Sequence, residues 1–599
     1  EYTLVEIGKY GFYHNFITSI DIPSTVTEIS QGAFGSCDTL QSFKAPEGLQ
    51  TIDDLAFSNC TQLESISLPT SLQSIGERAF TGCSYLKSID FSDGLSFIGE
   101  KAFFECTELT ELRLPTSLTA IENNVFSGCS KLQAIVIPYG ITRIGISAFS
   151  DCTALEKVDI PDTVTEIEGG AFMGCTSLAT VRLPDSLSMI SDGLFEECHS
   201  LTEVNIPGEI QNIGTRAFFR CKALKQVEIP AKVLTIGNEA FANCETLEAV
   251  AFPDGLQDIG TAAFACCYSL GSIVLPNSLI NLGDSAFADC SSLETANIPQ
   301  TIDTLRYTFS GCSSLKSIYL HENLISVWYA FSGCSSLTSV SIPPSISYYS
   351  GIFEYCTSLT SVEIPDSFEK IDPDAFKGCT SLAQIKLPTA LKDIHLSAFE
   401  GCSALTNVTL PEKVTGVGAA AFKNCTALER IELSKNVQTI GDEAFYGCTS
   451  LTRMWLPEKM EWIFNYAFFG CTSLETLFIP KTMIWFADGA FLDCTNLKTI
   501  YYDAEEPRWG AENHIFGMST YEKATLYVPQ DYIDNYKTMT PWCDFRNIEG
   551  FDFTGVETLE CVDKDPAEYF NLHGVKVSDP TKGNIYIVRK GTKISKVAF

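Results

Sequence analysis

From Cys60 the chain alternates apolar and polar residues in a fixed order: Cys-Thr-Gln-Leu-Glu-Ser-Ile-Ser-Leu-Pro, then Thr-Ser-Leu-Gln-Ser-Ile-Gly-Glu-Arg-Ala-Phe-Thr-Gly, then Cys83. Ile66 and Leu68 are apolar between Ser65 and Ser67, the period-two signature of a short strand with one buried face. Pro69 has no N–H to donate and ends that ladder. Leu72 and Ile75 make a second short apolar pair, Gly76 permits a turn, and Glu77 to Phe80 has the length of one helical turn. A strand, a second extended segment and a helical turn together make one lap of a coil.

The lap repeats. Phe34, Cys37 and Leu40 recur as Phe57, Cys60 and Leu63, and Phe-x-x-Cys-x-x-Leu runs through 21 copies to Phe491, Cys494 and Leu497. The period is 23 residues, shortened to 22 at the steps from Cys290 to Cys312, Cys334 and Cys356. A lap this short cannot bury its own Phe, Cys, Leu and Ile, so laps must stack and share one core. The fold class expected is therefore a repeat solenoid, mainly β with short helical turns, of about 21–22 laps over residues 1–503. At a strand spacing of about 4.8 Å it makes a rod or arc about 100 Å long.

Residues 1–33, with Ile7-Gly8, Phe12 and Ile20 to Pro23, read as a degenerate first repeat. There Asn15 stands where Cys is expected, which suggests a site that wants a small side chain bonded to backbone between laps. After Asp503 the repeat is lost, and residues 504–550 are expected to cap the core, with a strand at Ala524 to Pro529 followed by Asp531 to Lys537 and Trp542 to Ile548. Residues 551–599 read as a small β-rich region, with strands in Tyr569 to Val577 and Gly583 to Val588 and a Lys590-Gly591 turn. Lys576, Lys582, Arg589, Lys590, Lys593 and Lys596 make it basic, which suits an anchor, docking on the acidic solenoid, or one solvated face of a sheet.

Charge narrows the partners. Forty Lys and Arg against 74 Asp and Glu give a net charge of −34, which repels phosphate backbones and anionic lipids, so no nucleic acid is expected. With 45% hydrophobic and 19% charged residues the chain is a folded protein. No stretch approaches the roughly 20 apolar residues of a transmembrane segment. The chain opens at Glu1 without a charged-then-apolar leader, compatible with a removed export signal.

The repeat holds 21 of the 24 cysteines in one local pattern, with no alternation to mark disulfide partners and an odd count. They read as buried reduced thiols acting as small hydrophobes. Cys266, Cys543 and Cys561 fall outside the ladder and are the candidates for reactive thiols. No Cys-x-x-Cys pair suggests zinc, and the six histidines are far apart. His321 takes a Pro position of the repeat, where surface exposure is expected. There is no metalloprotease helix, phosphate loop or nucleophile elbow, so neither an enzyme nor a cofactor is expected. Calcium between acidic loops such as Asp372 and Asp374 is an alternative.

The outward strand positions, Ser65 and Ser67 in the first example, are mostly small or polar and suit a macromolecule better than a metabolite. Three laps break the pattern: Trp455, Phe478 and Tyr501 take the same outward position, with Arg430, Glu432 and Arg453 nearby. Trp, Tyr and Arg anchor interfaces, and flat rings also stack on sugars. The stripe either meets an external protein or polysaccharide or is covered by the C-terminal region. A second candidate patch is Tyr307, Trp328, Tyr329, Tyr348 and Tyr349, at the shortened laps. Either these rings repack the shortened turn or they form a binding patch on the far side from the strands.

The Leu63 to Pro69 strand, the Ile75 to Phe80 turn and the Cys that follows resemble the BspA-like leucine-rich-repeat family, over about residues 7 to 503. The resemblance implies a right-handed leucine-rich-repeat arc and an exported bacterial protein of the cell surface, as in Bacteroidetes. It also implies attachment to host proteins or other cells. The tail from 504 to 550 is similar to the closing segment of such arrays, and residues 551–599 to a C-terminal segment of exported Bacteroidetes proteins. The expected function is recognition or adhesion of a protein or polysaccharide; the alternative is a structural spacer with no ligand.

Overall fold

Every lap is built to hand its backbone hydrogen bonds to the next. In the lap that follows Cys60, Ser65–Ser67 and Ser74–Ile75 are parallel strands, paired residue for residue with Ser42–Lys44 and Thr51–Ile52 of the lap before. Between Gly76 and Cys83 the expected turn is present, made of bonds that alternate in direction. Ala79, Thr81 and Cys83 N–H donate within the lap to Gly76, Arg78 and Phe80 carbonyls. Arg78, Phe80 and Gly82 N–H donate across to Glu100, Ala102 and Phe104 at 2.8–2.9 Å. Arg78 and Gly82 take left-handed φ of 54° and 71° to turn their peptides toward the next lap. No donor of the turn is left without a partner, as a stack of laps requires.

This computed structural model describes residues 3–508 and 514–554, together with the backbone strands Glu568–Phe570, Lys576–Val577, Ile585–Lys590 and Lys593–Ala598. The chain divides into two units, Glu1–Ile318 and Tyr319–Phe599. In both, the repeat forms a β-solenoid of parallel strands.

In the first unit the repeat phenylalanines from Phe12 to Phe309 stack with centroids 4.9–5.9 Å apart. Beside them runs a row of thiols. Cys60 Sγ donates to the Phe34 carbonyl at 3.1 Å and Cys83 Sγ to Phe57 at 3.1 Å, each the Phe of the preceding lap. Phe57 carbonyl thus accepts two bonds, from its own lap's Cys60 N–H and from the next lap's thiol. The column therefore needs a small apolar side chain with a donor at its tip, which Cys supplies. The described ladder cysteines carry thiols, and burial pushes those of Cys83 and Cys129 up to about 12.

In the second unit the stack runs from Phe331 to Phe491 and on to Phe516 of the tail, with centroids 4.9–6.1 Å apart. The lost residue of the short laps is absorbed by lengthening the second strand from two residues to three, as in Ser326–Trp328 and Tyr348–Ser350. Past Asp503 the sheet of longer strands continues through Thr525–Pro529 and Asn547–Phe551, both parallel to the repeat strands. Short helical pieces at Met518–Lys523 and Ile533–Tyr536 precede and follow Thr525–Pro529. Tyr502, Phe516, Tyr536, Trp542 and Phe545 form the buried interior of this cap. Tyr536 hydroxyl donates to Ala504 carbonyl at 2.7 Å, and the indole of Trp542 to Arg508 carbonyl at 3.0 Å. The four C-terminal strands pair antiparallel. Cys561, His573, Lys582 and the Gly591 turn lie outside the described residues.

His321 corrects its expectation: it is buried, as Pro69 is in the same column, because that column closes the end of the strand under the following lap. Its Nδ1 accepts the Asn323 N–H at 3.2 Å.

Candidate binding surface

The aromatic stripe forms as the repeat dictates. Arg453–Trp455, Thr476–Ile479 and Thr499–Tyr502 pair in register, setting Trp455 opposite Phe478 and Phe478 opposite Tyr501. Trp455 stacks on Phe478 at 5.1 Å. The next two rungs carry aromatic residues of their own: Tyr527 stacks on Tyr501 at 5.1 Å, Phe551 meets Tyr501 edge-on at 5.2 Å, and Phe553 approaches Phe478 at 6.3 Å. Phe478 is left 3% exposed and Tyr501 5%. Trp455 at its edge stays half-buried.

Arg430 pairs with Glu432 on its own strand. Arg453 is half-buried; burial, and after it the like charge of Arg430, hold its guanidinium below the usual arginine value. The accessible part of this candidate site is therefore the Trp455, Arg453 and Arg430 edge.

The second patch also divides. Tyr349 is a core residue standing where other laps have Ile, its hydroxyl donating to Lys370 carbonyl at 2.7 Å and its ring edge-on to Phe368. Tyr329 takes a left-handed φ of 47°, lays its ring over Gly351 and donates to Asp374 Oδ2 at 3.1 Å. A Cβ on Gly351 would come 2.1 Å from that ring, so the glycine is required there. Trp328 and Tyr348 remain exposed, Tyr348 at 60%, and in the first unit Tyr307 is exposed at its own left-handed turn position.

The carboxylates proposed for calcium are otherwise occupied. Asp372 meets Lys370 Nζ at 3.1 Å and Asp374 meets Lys377 Nζ at 3.6 Å. Among the described residues no group of three or more His, Cys, Asp or Glu is arranged to hold a metal ion. Cys266 and Cys543 are half-buried. Among the described residues no helix is long and apolar enough to cross a membrane.

One surface went unnoticed in the sequence. On the sheet of short strands, Trp462–Ile463 pairs with Trp485–Phe486, so the two tryptophans are direct neighbours facing outward while Ile463 and Phe486 face the core. Trp462 is 37% exposed and Trp485 36%, with exposed Phe464 and Ile484 beside them. Other laps place Ser74, Thr235 or Thr439 at the tryptophan position. The signal was available: two tryptophans 23 residues apart in a column that other laps fill mostly with polar or small residues.

A family model described as the BspA type leucine-rich repeat region matches residues 5–133, 119–248, 234–356, 306–429 and 415–507. Among solved structures, a leucine-rich repeat protein from Bacteroides ovatus is 29% identical, with 65% of this chain and 83% of that one covered and a TM-score of 0.37. A leucine-rich cell surface protein from Faecalibacterium prausnitzii is 24% identical, covering 63% and 87%, at a TM-score of 0.29. The leucine-rich repeat protein of T. pallidum is 33% identical, covering 31% and 78%, at 0.24. No curated protein matches the chain.

Proposed function

The chain belongs to the BspA-type leucine-rich-repeat family, and from that premise we propose that it is an exported, non-catalytic recognition protein of the bacterial cell surface. It presents a rigid, ligand-ready face to a macromolecule, a host protein or a polysaccharide. Proteins of this repeat class are in general binding scaffolds without enzymatic activity.

The observation that carries the reading is the contrast between a fixed interior and a free exterior. Phe, Cys and Leu columns are occupied lap after lap, while the outward positions vary in side chain without disturbing the register. Such a frame lets surface residues be chosen for contact alone. Contacts with a large partner are then spread over many laps.

The test is a binding screen of the full chain against matrix proteins and polysaccharides at physiological salt. Saturable binding to one class supports recognition. Absence of binding to all of them would move the assignment to a structural spacer.

A further inference from the structure

The exposed tryptophan pair has chemistry of its own. Trp462 and Trp485 occupy adjacent rungs, about 4.8 Å apart along the sheet, and each shows part of its indole to solvent. Apolar Phe464 and Ile484 extend the patch, and Glu461 precedes Trp462 on the same lap; Asp488, on the lap of Trp485, is already engaged, accepting the Tyr466 hydroxyl at 3.3 Å and facing His514 Nδ1 at 3.8 Å. Among the described residues no Lys or Arg lies over either indole, and no basic side chain pairs with Glu461. Lys459, close in sequence, donates instead to Asn436 Oδ1 at 2.7 Å.

Two other rings of this molecule, the half-buried Tyr446 and the buried Phe219, carry cations that are themselves paired with carboxylates. In the second unit Lys423 Nζ sits 5.1 Å from the centroid of Tyr446 while paired with Glu443. In the first unit Arg216 and Arg220 lie over Phe219 at 4.0 and 5.1 Å and pair with Glu196 and Glu197. At both places a ring, a cation and a carboxylate meet, whereas Trp462 and Trp485 have two rings and the neighbouring Glu461 carboxylate with no Lys or Arg over the indoles. Trp is the strongest aromatic acceptor for such a contact. A net charge of −34 favours the approach of a basic partner over an anionic one.

Resting on the recognition function proposed above, we infer that Trp462 and Trp485 form a docking site for a Lys- or Arg-rich segment of a partner protein. Its cations stack on the two indoles and one pairs with Glu461, while its aliphatic stems cover Phe464 and Ile484. Two such contacts made together account for a large share of the affinity of a short basic peptide.

The experiment titrates a nonaarginine peptide into the full chain at physiological salt, followed by tryptophan emission and by calorimetry. Trp462→Ser/Trp485→Ser is expected to weaken binding at least about tenfold. Trp462→Phe/Trp485→Phe, which keeps a ring, should recover most of the loss, and Glu461→Gln should weaken binding a few-fold. Phe97→Ser, an exposed ring at the equivalent strand position in the first unit, is the control and should bind as wild type does. Equal binding by wild type and the double Ser variant would show that net charge alone attracts the peptide and would overturn the site. Failure of wild type to bind the peptide, with or without binding of a neutral β-glucan, also overturns it. A β-glucan signal lost in the double Ser variant would leave the broader recognition function standing with a sugar as partner. The recognition function itself fails only if the wider screen is empty as well.

Discussion

The laps between Arg453 and Tyr502 carry aromatic residues on both outward faces, and the two sets have opposite fates. On the sheet of longer strands, Phe478 and Tyr501 are sealed; on the sheet of short strands, Trp462 and Trp485 stay open. The difference lies in the tail. Thr525–Pro529 and Asn547–Phe551 extend the first sheet by two rungs and bring Tyr527, Phe551 and Phe553 onto it. In the second sheet, Trp485–Phe486 is the last rung. Whether a ring on this scaffold serves packing or contact is thus decided by which sheet the cap continues.

Between the two faces lies an interior common to both, and the largest effect should come from its thiols. Burial pushes the thiols of Cys402 and Cys448 up to about 12 from an ordinary value of 9, and those of Cys425 and Cys471 above it as well. The protonated form is favoured in the folded state, so its stabilising contribution is complete below about pH 9 and is lost as pH rises toward 12. Each thiol contributes a slope of about 1.4 kcal/mol per pH unit over that window, and many titrate together. Denaturant midpoints should therefore hold steady to about pH 8 and collapse steeply above 9. A flat profile to pH 11 would mean that the thiols are not buried as a column.

Next in size is a direct contest between the faces. Phe478→Ala should destabilise by about 3 to 5 kcal/mol, because it opens a cavity under Tyr527 and Phe553. Trp462→Ala, on an exposed position, should cost less than about 1 kcal/mol. Chemical denaturation, with hydrogen exchange at Thr476–Ile479 to localise the loss, compares them. Equal costs would erase the distinction between a sealed and an open face.

Tyr349 sharpens the comparison from a third place, since its ring is packed like Phe478 yet it carries a polar tip. Tyr349→Phe removes the bond to Lys370 carbonyl and should cost about 1 to 2 kcal/mol, the range for an unsatisfied buried partner. Tyr348→Phe beside it, being exposed, should leave the midpoint unchanged. If both substitutions are silent, the hydroxyl of Tyr349 is not buried with its ring.

The solenoid was legible because each interior column states its own reason. Phe57, Cys60 and Leu63 recur at a spacing that only stacked laps can use, and the thiol bond to the preceding Phe carbonyl explains why Cys holds its place. The site was legible only in part. Period-two alternation tells which side of a strand a ring takes, and it placed Trp455, Phe478 and Tyr501 correctly on one outward row. It could not say what covers that row, because Tyr527 and Phe551 arrive on strands outside the 23-residue period. For Tyr349 the sequence left repacking and display both open, because a shortened lap hides which residue inherits the Ile position. The pair Trp462 and Trp485 was missed for a simpler reason: the second strand of the lap is only two residues long and was not read as a display surface.

The smallest effect is spectroscopic and bears on how the stripe is sealed. Ending the chain after Gly550 removes Phe551 and Phe553 but keeps Tyr527, so the cover over Tyr501 and Phe478 is thinned rather than lost. Trp455, stacked on Phe478 at the edge of the cluster, should then meet more water and shift its emission to longer wavelength. Trp462 and Trp485 would blur that shift because they already face solvent, so the comparison belongs in a Trp462→Phe/Trp485→Phe background. In that background acrylamide quenching should also rise on truncation. In the wild-type chain the contribution of Trp462 and Trp485 to quenching should be the same with and without the tail, since their sheet ends before the cap begins. Absence of a red shift would mean that Tyr527 alone suffices to seal Phe478 and Tyr501. The division between the two faces would then be drawn by the single strand Thr525–Pro529, with Asn547–Phe551 adding stability rather than cover.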